Sequence, residues 1–201
     1  MAKQLEMALP TWGGARKGAG RKPKGPRAGV SHLRRARFPA RHPVHVTLRT
    51  LAAVGYLRGH RRMRAIRESF KEARERHGLR LVHFSVQGNH LHLLVEADGP
   101  QSLARGMQGL AVRLSRALNR ALRRSGKVFA DRYHSRPLAT RREVAHALRY
   151  LLQNFRHHLR EDVAPAGLDP CSSAVWLLVP LAPAAPVVAP RTWLLRRAMD
   201  G

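Results

Sequence analysis

Acidic residues are scarce in this chain. Asp and Glu number 12 among 201 residues, against 38 Lys and Arg, and the formal charge is +26. Two-metal nucleases hold their ions with clustered carboxylates, and so few acids leave little to build a cluster from. Glu96 and Asp98 lie close together, but as a pair at a strand end they read as solvated. Cysteine is nearly missing: Cys171 alone permits neither an internal disulfide nor a Cys-based zinc site. Aromatic residues make up 5 %, and the stretch "HLHLLVEA" carries none. That argues against an RNA-recognition module, which stacks bases on aromatics of its central strands. Long apolar runs are absent as well. Ala174 to Pro190 is interrupted by Pro180, Pro183 and Pro186 and cannot span a bilayer. No apolar core follows Met1, so no signal peptide is expected. These absences lead to the expectation of a cytoplasmic protein without a membrane partner.

What the chain has in excess is positive charge. A polycation of this size repels itself unless a polyanion is present, which makes nucleic acid the leading partner and the nucleoid the expected location. Residues 1–40 are set apart by composition. "GGARKGAGRKPKGPRAGVSHLRRARFPAR" is rich in Gly, Pro, Lys and Arg, with no acid and no hydrophobic period. It is read as a disordered DNA-binding arm, with Arg16, Lys17, Arg21, Lys22 and Lys24 as phosphate contacts suited to a minor groove. Gly18 is followed by Ala19 rather than Lys, and no strand precedes it, so the glycines do not form a nucleotide-binding loop. No nucleotide cofactor is expected.

Periodicity organises residues 41–162. "HPVHVTLRT" (42–50) alternates as a strand, with Val44, Val46 and Leu48 on one side. Residues 61–78 carry Met63, Ile66, Phe70 and Ala73 at helical spacing, with Gly78 as the expected stop. "LRLVHFSVQ" and "HLHLLVEA" read as two strands joined at Gly88-Asn89, residues that tolerate the positive φ of a tight hairpin turn. A long helix is expected over 99–126, a strand within 127–138, and a helix from Thr140 to about Glu161 opened by a Thr140–Glu143 capping box. The first six elements follow the β-α-β-β-α-β order. The fold class expected is therefore α+β, a ferredoxin-like split β-α-β sandwich with an antiparallel sheet, plus an additional C-terminal helix. Residues 163–201 turn to Pro and Ala and are expected to drape over the core, and the sequence assigns them no function.

Two pairs of residues carry candidate chemistry. His90 and His92 alternate with Leu91 and share one face of a strand. Tyr150 and Asn154 are four apart and share one face of the last helix. Spacing alone leaves both functional and packing interpretations open: two imidazoles and an amide can hold a divalent ion, and they can equally be ordinary polar residues. Tyrosine is a suitable phosphodiester nucleophile, because it conserves the bond energy in a phosphotyrosine. Its pKa of about 10 requires a cationic surround.

"GNHLHLLV" resembles the His-hydrophobic-His motif of HUH endonucleases, and "RYLLQN" resembles the catalytic helix of single-tyrosine transposases. More narrowly, "VFADRYHSRPL" followed by "ALRYLLQNFRHH" resembles the bacterial REP-associated tyrosine transposases, within the IS200-like group. The resemblance implies His90 and His92 as metal ligands, Tyr150 as nucleophile and Asn154 as third ligand, with Gln153 beside it as the alternative. It also implies Mg²⁺ or Mn²⁺ as cofactor and single-stranded, hairpin-containing DNA as partner. The reaction would be cleavage and rejoining through a 5′-phosphotyrosine, by a monomer or homodimer. Arg132 and Arg136 join the arm as expected DNA contacts. The alternative is a non-catalytic nucleic-acid-binding protein derived from a transposase. For that protein the run Arg113, Arg116, Arg120, Arg123 and Arg124 would serve equally, unless it is merely a solvated face.

Overall fold

The computed structural model describes residues 37–153, 168–176 and 185–199. All of them fall in one packing unit, residues 32–201. In chain order the elements are β1 (Val44–Arg49), α1 (His60–Ala73), β2 (Glu75–Arg76), β3 (Leu79–Val86), β4 (His90–Ala97), α2 (Pro100–Ala121), β5 (His134–Pro137), α3 (Arg141–Gln153) and α4 (Trp193–Met199). The strands form one sheet in the order β2-β3-β4-β1-β5, and every pairing is antiparallel. This is the expected split β-α-β arrangement, widened by the two-residue β2.

Alternation along the strands divides the side chains between two faces. Val44, Val46 and Leu48 of β1 join Leu91, Leu93 and Val95 of β4 in a core closed by α1 and α2, with Met63, Ile66, Phe70, Leu103, Met107 and Leu114. Phe38 is 8 % exposed and packs into the same core, so the packed chain extends upstream of residue 41. The opposite face is covered separately. Leu94 and Val82 pack there against Val144, Ala147, Leu148 and Leu151 of α3 and Leu195 of α4. The sheet is therefore sandwiched, and α3 lies across it from α1 and α2.

Several boundaries differ from expectation. α1 stops at Ala73, because Glu75 and Arg76 pair with Arg80 and Leu79 as a short hairpin. His77 and Gly78 turn that hairpin with φ of 55° and 71°. Gly78 is thus a turn residue, and a Cβ there would lie 2.2 Å from Asp98 Oδ2. α2 ends at Ala121, five residues before Gly126. β5 covers only His134–Pro137, although Phe129 bridges to Thr50 upstream of it. The β3–β4 hairpin turns at Gly88-Asn89 as expected, yet neither residue takes positive φ. Their carbonyls instead accept from Leu57 N–H and Thr50 N–H, at 2.8 and 2.9 Å.

The described C-terminal residues pack tightly on this frame. Asp169 is fully buried and takes both Arg58 guanidinium nitrogens, at 2.7 and 3.0 Å. Cys171 O accepts from Val86 N–H at 2.9 Å, extending the β3 edge. Glu96 is not a solvated acid: it is 3 % exposed. Its carboxylate accepts from Arg80 and from the Arg191 and Thr192 N–H groups that lead into α4. Among the described residues no helix is long and apolar enough to cross a membrane.

His83 links this packing to pH. It is 3 % exposed, with Nδ1 3.1 Å from Ser173 Oγ, and burial lowers its pKa from 6.5 to about 4. Above pH 6.5 the ring is neutral whether the chain is folded or not, and stability does not depend on it. Below that, the unfolded chain takes a proton that the fold refuses, so stability falls with pH until the folded ring also titrates near 4. The expected loss is about 3 kcal/mol across that window. Chemical denaturation at a series of pH values should show it, and His83→Gln should flatten the slope. An unchanged slope in the variant would show that other groups carry the acid sensitivity.

Candidate functional site

The cluster sits on the α3 face of the sheet and is built by strand register. β1 pairs with β4 so that Thr47 lies opposite His92 and His45 opposite Leu94. β5 pairs with β1 so that His134 lies opposite Thr47 and Arg136 opposite His45. Even-numbered residues of β4 face away from the α1–α2 core, which brings His45, Thr47, His90, His92, His134 and Arg136 onto one surface.

α3 brings Tyr150 to that surface. The expected capping box is present: Glu143 N–H donates to Thr140 Oγ1 at 3.2 Å, and Thr140 N–H donates back to Glu143 Oε2 at 3.2 Å. Glu143 also accepts from Ala139 N–H and from Arg136, both at 2.8 Å. The Ala139 N–H, then Arg136 and the Thr140 groups, hold this carboxyl below the usual Glu range. Arg136, expected as a DNA contact, is thus tied to the helix start while its side chain stays 64 % exposed. With the start fixed, Val144, Ala147, Leu148 and Leu151 face the sheet at three- and four-residue steps. Tyr150 is one residue off that stripe and 44 % exposed, at the rim of the packed face.

The Tyr150 hydroxyl lies 3.3 Å from His92 Nε2, with the rings perpendicular and their centroids 5.0 Å apart. On its other side, His92 Nδ1 is 3.2 Å from His45 Nε2 and 3.3 Å from Thr47 Oγ1. Burial, then His134 and Arg136, push the His45 pKa down to about 4, so its ring is neutral near pH 7. A neutral His45 can accept the His92 Nδ1–H, a contact that leaves the lone pair of His92 on Nε2, toward Tyr150. His90 Nδ1 lies 2.8 Å from Asn89 Oδ1. With that carbonyl accepting, His90 likewise keeps its lone pair on Nε2. The His90 and His92 rings stand 4.7 Å apart at 89°.

Imidazole binds a metal ion through either ring nitrogen, and these tautomers would offer Nε2 of each ring. His90 and His92 therefore fit as two neutral nitrogen donors. Among the described residues no group of three His, Cys, Asp or Glu side chains is arranged to hold a metal. Asn154, expected as the third ligand, falls outside the described residues, as do Arg16, Lys17, Arg21, Lys22 and Lys24. Arg132 lies half-buried in the loop before β5, its N–H donating to Asp131 Oδ1 at 2.7 Å.

Sequence reasoning missed His45, Thr47 and His134. The alternation that put Val44, Val46 and Leu48 inward also put His45 and Thr47 outward, on the face of His90 and His92. The signal was present, but it needed the β1–β4 pairing to be used.

The sequence profile of the family described as "Transposase IS200 like" matches residues 40–154, more than half of the chain. Among solved structures, one described as "Structure of the REP associates tyrosine transposase bound to a REP hairpin" aligns with 81 % of this chain and 93 % of its own. Its sequence identity is 13 % and its TM-score 0.58, a likeness of fold. A candidate transposase from Deinococcus radiodurans R1 aligns over 64 % of this chain and 96 % of its own, at 17 % identity and TM-score 0.41. No curated protein matches the chain. With residues 40–154 matched by that profile, more than half of the chain, and with the corresponding fold, the chain belongs to the IS200-like transposase family.

Proposed function

We propose that this transposase-family protein cuts and rejoins single-stranded DNA through a 5′-phosphotyrosine on Tyr150, beside hairpin-forming sequence of the REP kind. The observation that carries the reading is the Tyr150 hydroxyl 3.3 Å from His92 Nε2, on the face shared with His90. A phenol at the open rim of a cationic surface can reach a phosphodiester, and His92 orients its oxygen. In the reaction the Tyr150 oxygen bonds to phosphorus and the phosphorus–O3′ bond breaks. The phenolic proton is lost and the leaving 3′-oxygen gains one, ending as a free 3′-hydroxyl. Attack by a 3′-hydroxyl on the phosphotyrosine runs the same steps backward and rejoins the strand.

His90 and His92, with an amide from Asn154 or Gln153, would hold a divalent ion, Mg²⁺ or Mn²⁺. Such an ion supplies positive charge against a phosphate oxygen. One lone pair cannot serve two purposes at once. His92 Nε2 either accepts from Tyr150, as in this geometry, or binds a cation. Metal dependence therefore separates a ligand role from a base role.

The test is covalent trapping. Oligonucleotides with and without hairpins are incubated with the protein and Mn²⁺ or Mg²⁺, then resolved on a denaturing gel. A shifted band abolished by EDTA and by His90→Ala supports the reading. A band that persists in EDTA assigns His92 the base role. Binding without any adduct favours the non-catalytic alternative.

His45 should matter although it lies behind His92. His45→Ala is expected to slow adduct formation about 10- to 100-fold, as loss of a ligand-orienting partner does. His45→Gln, whose amide oxygen can still accept from His92 Nδ1, should recover part of the rate. Equal rates for all three proteins in a time-resolved trapping assay would remove His45 from the account.

A further inference from the structure

The sheet face that carries the histidine cluster also bears a cation that its hydrogen bonds leave unused. Arg49 ends β1, and the alternation that buries Val46 and Leu48 sends it outward with His45 and Thr47. Strand register sets Arg49 directly opposite His90, and Thr47 opposite His92. Opposed side chains start about 5 Å apart and diagonal neighbours about 7–8 Å apart, within reach of a long side chain. Arg49 is thus the lateral neighbour of His90 and a diagonal neighbour of His92, whose Nε2 lies 3.3 Å from the Tyr150 hydroxyl. Its backbone is held from both sides: β4 pairs with it, and its carbonyl accepts from Ala130 N–H at 2.9 Å. Its side chain is exposed, and among the described residues no carboxylate forms an ion pair with it. Arg136, on the same face, differs in being bonded to Glu143.

We infer that Arg49 is a catalytic residue of the strand transfer, its guanidinium gripping a non-bridging oxygen of the phosphate that Tyr150 attacks. The inference rests on the phosphotyrosine reading above and adds the side chain that holds the reacting phosphate. As the Tyr150 oxygen bonds to phosphorus, and before the phosphorus–O3′ bond has broken, five oxygens crowd the phosphorus. The non-bridging pair then carries more negative charge than in the resting diester. Positive charge fixed in advance where negative charge develops lowers such a barrier. A guanidinium fork matches phosphate oxygens in pairs. The imidazoles beside Arg49 are neutral in the pattern described above, so the arginine supplies a charge that they do not. Guanidinium groups keep their protons, and Arg49 takes no part in proton transfer. The phenolic proton and the proton gained by the 3′-oxygen are accounted for as before.

The experiment measures covalent adduct formation by the full chain on an oligonucleotide whose cut position has been mapped with wild type. That position carries either the ordinary phosphate or a methylphosphonate, the latter as separated diastereomers. The methyl group replaces one non-bridging oxygen and leaves the diester neutral. Arg49→Ala should slow the adduct about 10²- to 10³-fold on the phosphate, the scale of losing one preorganised donor. Arg49→Lys should recover part of the rate, since it keeps the charge without the fork. On the diastereomer that lacks the oxygen facing Arg49, wild type and Arg49→Ala should differ by less than about threefold. An unchanged rate on the phosphate would make Arg49 a solvated residue. An equal loss on the phosphate and on both diastereomers would make its role structural. Either result overturns the inference. Binding in EDTA adds a readout without chemistry. For an unstructured oligonucleotide the slope of log affinity against log salt should be smaller by about 0.7 in Arg49→Ala, one phosphate contact on a single strand. Equal slopes would remove the contact. Failure of wild type to form any adduct would remove the transesterase and leave the binding result standing.

Discussion

Tyr150→Phe is expected to lower formation of a covalent protein–DNA adduct at least about 10³-fold, the scale of losing a covalent nucleophile. The variant removes one oxygen from a side chain that is 44 % exposed and packs at a helix rim, so the fold should be untouched. Binding of single-stranded DNA should therefore be retained, because phosphate contacts supply most of it. That pairing of outcomes is the informative one. His92→Ala should also suppress the adduct, since it removes the group 3.3 Å from the phenol and one of the two candidate nitrogen donors. The comparison is made on a denaturing gel with end-labelled oligonucleotide, and an anisotropy titration serves as the binding control. Cleavage that survives Tyr150→Phe would replace the tyrosine mechanism with attack by water.

Asp169→Ala should produce the largest loss of stability among single changes remote from the candidate site. Asp169 is fully buried and bonds both terminal nitrogens of the Arg58 guanidinium, and Arg58 Nη1 also donates to Val86 O at 2.9 Å. Removing the carboxylate leaves a guanidinium whose side chain is 9 % exposed without its counter-charge, at a cost of about 3–5 kcal/mol. At roughly 2–4 °C per kcal/mol for a chain of this size, the melting temperature should fall on the order of 10 °C. The paired replacement Arg58→Met with Asp169→Leu should cost much less, because no charge is then stranded. Thermal melts of the three proteins decide it, and a fall under about 2 °C in Asp169→Ala would show that the pair contributes little. The consequence would extend beyond the tail. The Asp169 segment borders β3, whose Ser85 lies opposite His92, so loosening it should also slow adduct formation.

How far the sequence could be read depended on whether a feature was local. The capping box at Thr140 and Glu143 was legible because both halves lie within one turn, and it set the phase that brings Tyr150 to the sheet. The alternation of His90 and His92 was legible for the same reason. The end of α1 was misjudged because Gly78 marks a break without saying which kind. Pairing of Glu75 with Arg80 made it a hairpin turn, and the helix gave way five residues earlier. His45 escaped because its neighbour is 47 positions away. The burial of Glu96 escaped likewise, since its partners Arg191 and Thr192 come from a Pro- and Ala-rich segment with no period to announce it. That the arginines of α2 share a groove with α1 was not legible either, because the other wall comes from a helix about 50 positions earlier.

The most direct test of the central claim is to locate the nucleotide. The adduct formed on a single-stranded oligonucleotide is purified under denaturing conditions, digested with nuclease and trypsin, and sequenced by tandem mass spectrometry. The chain has three tyrosines, and Tyr150 alone falls in the tryptic peptide YLLQNFR, residues 150–156. The account expects that peptide to carry a nucleotide phosphate on Tyr150. A modification on Tyr56 or Tyr133, or cleaved DNA with no modified peptide, would contradict it.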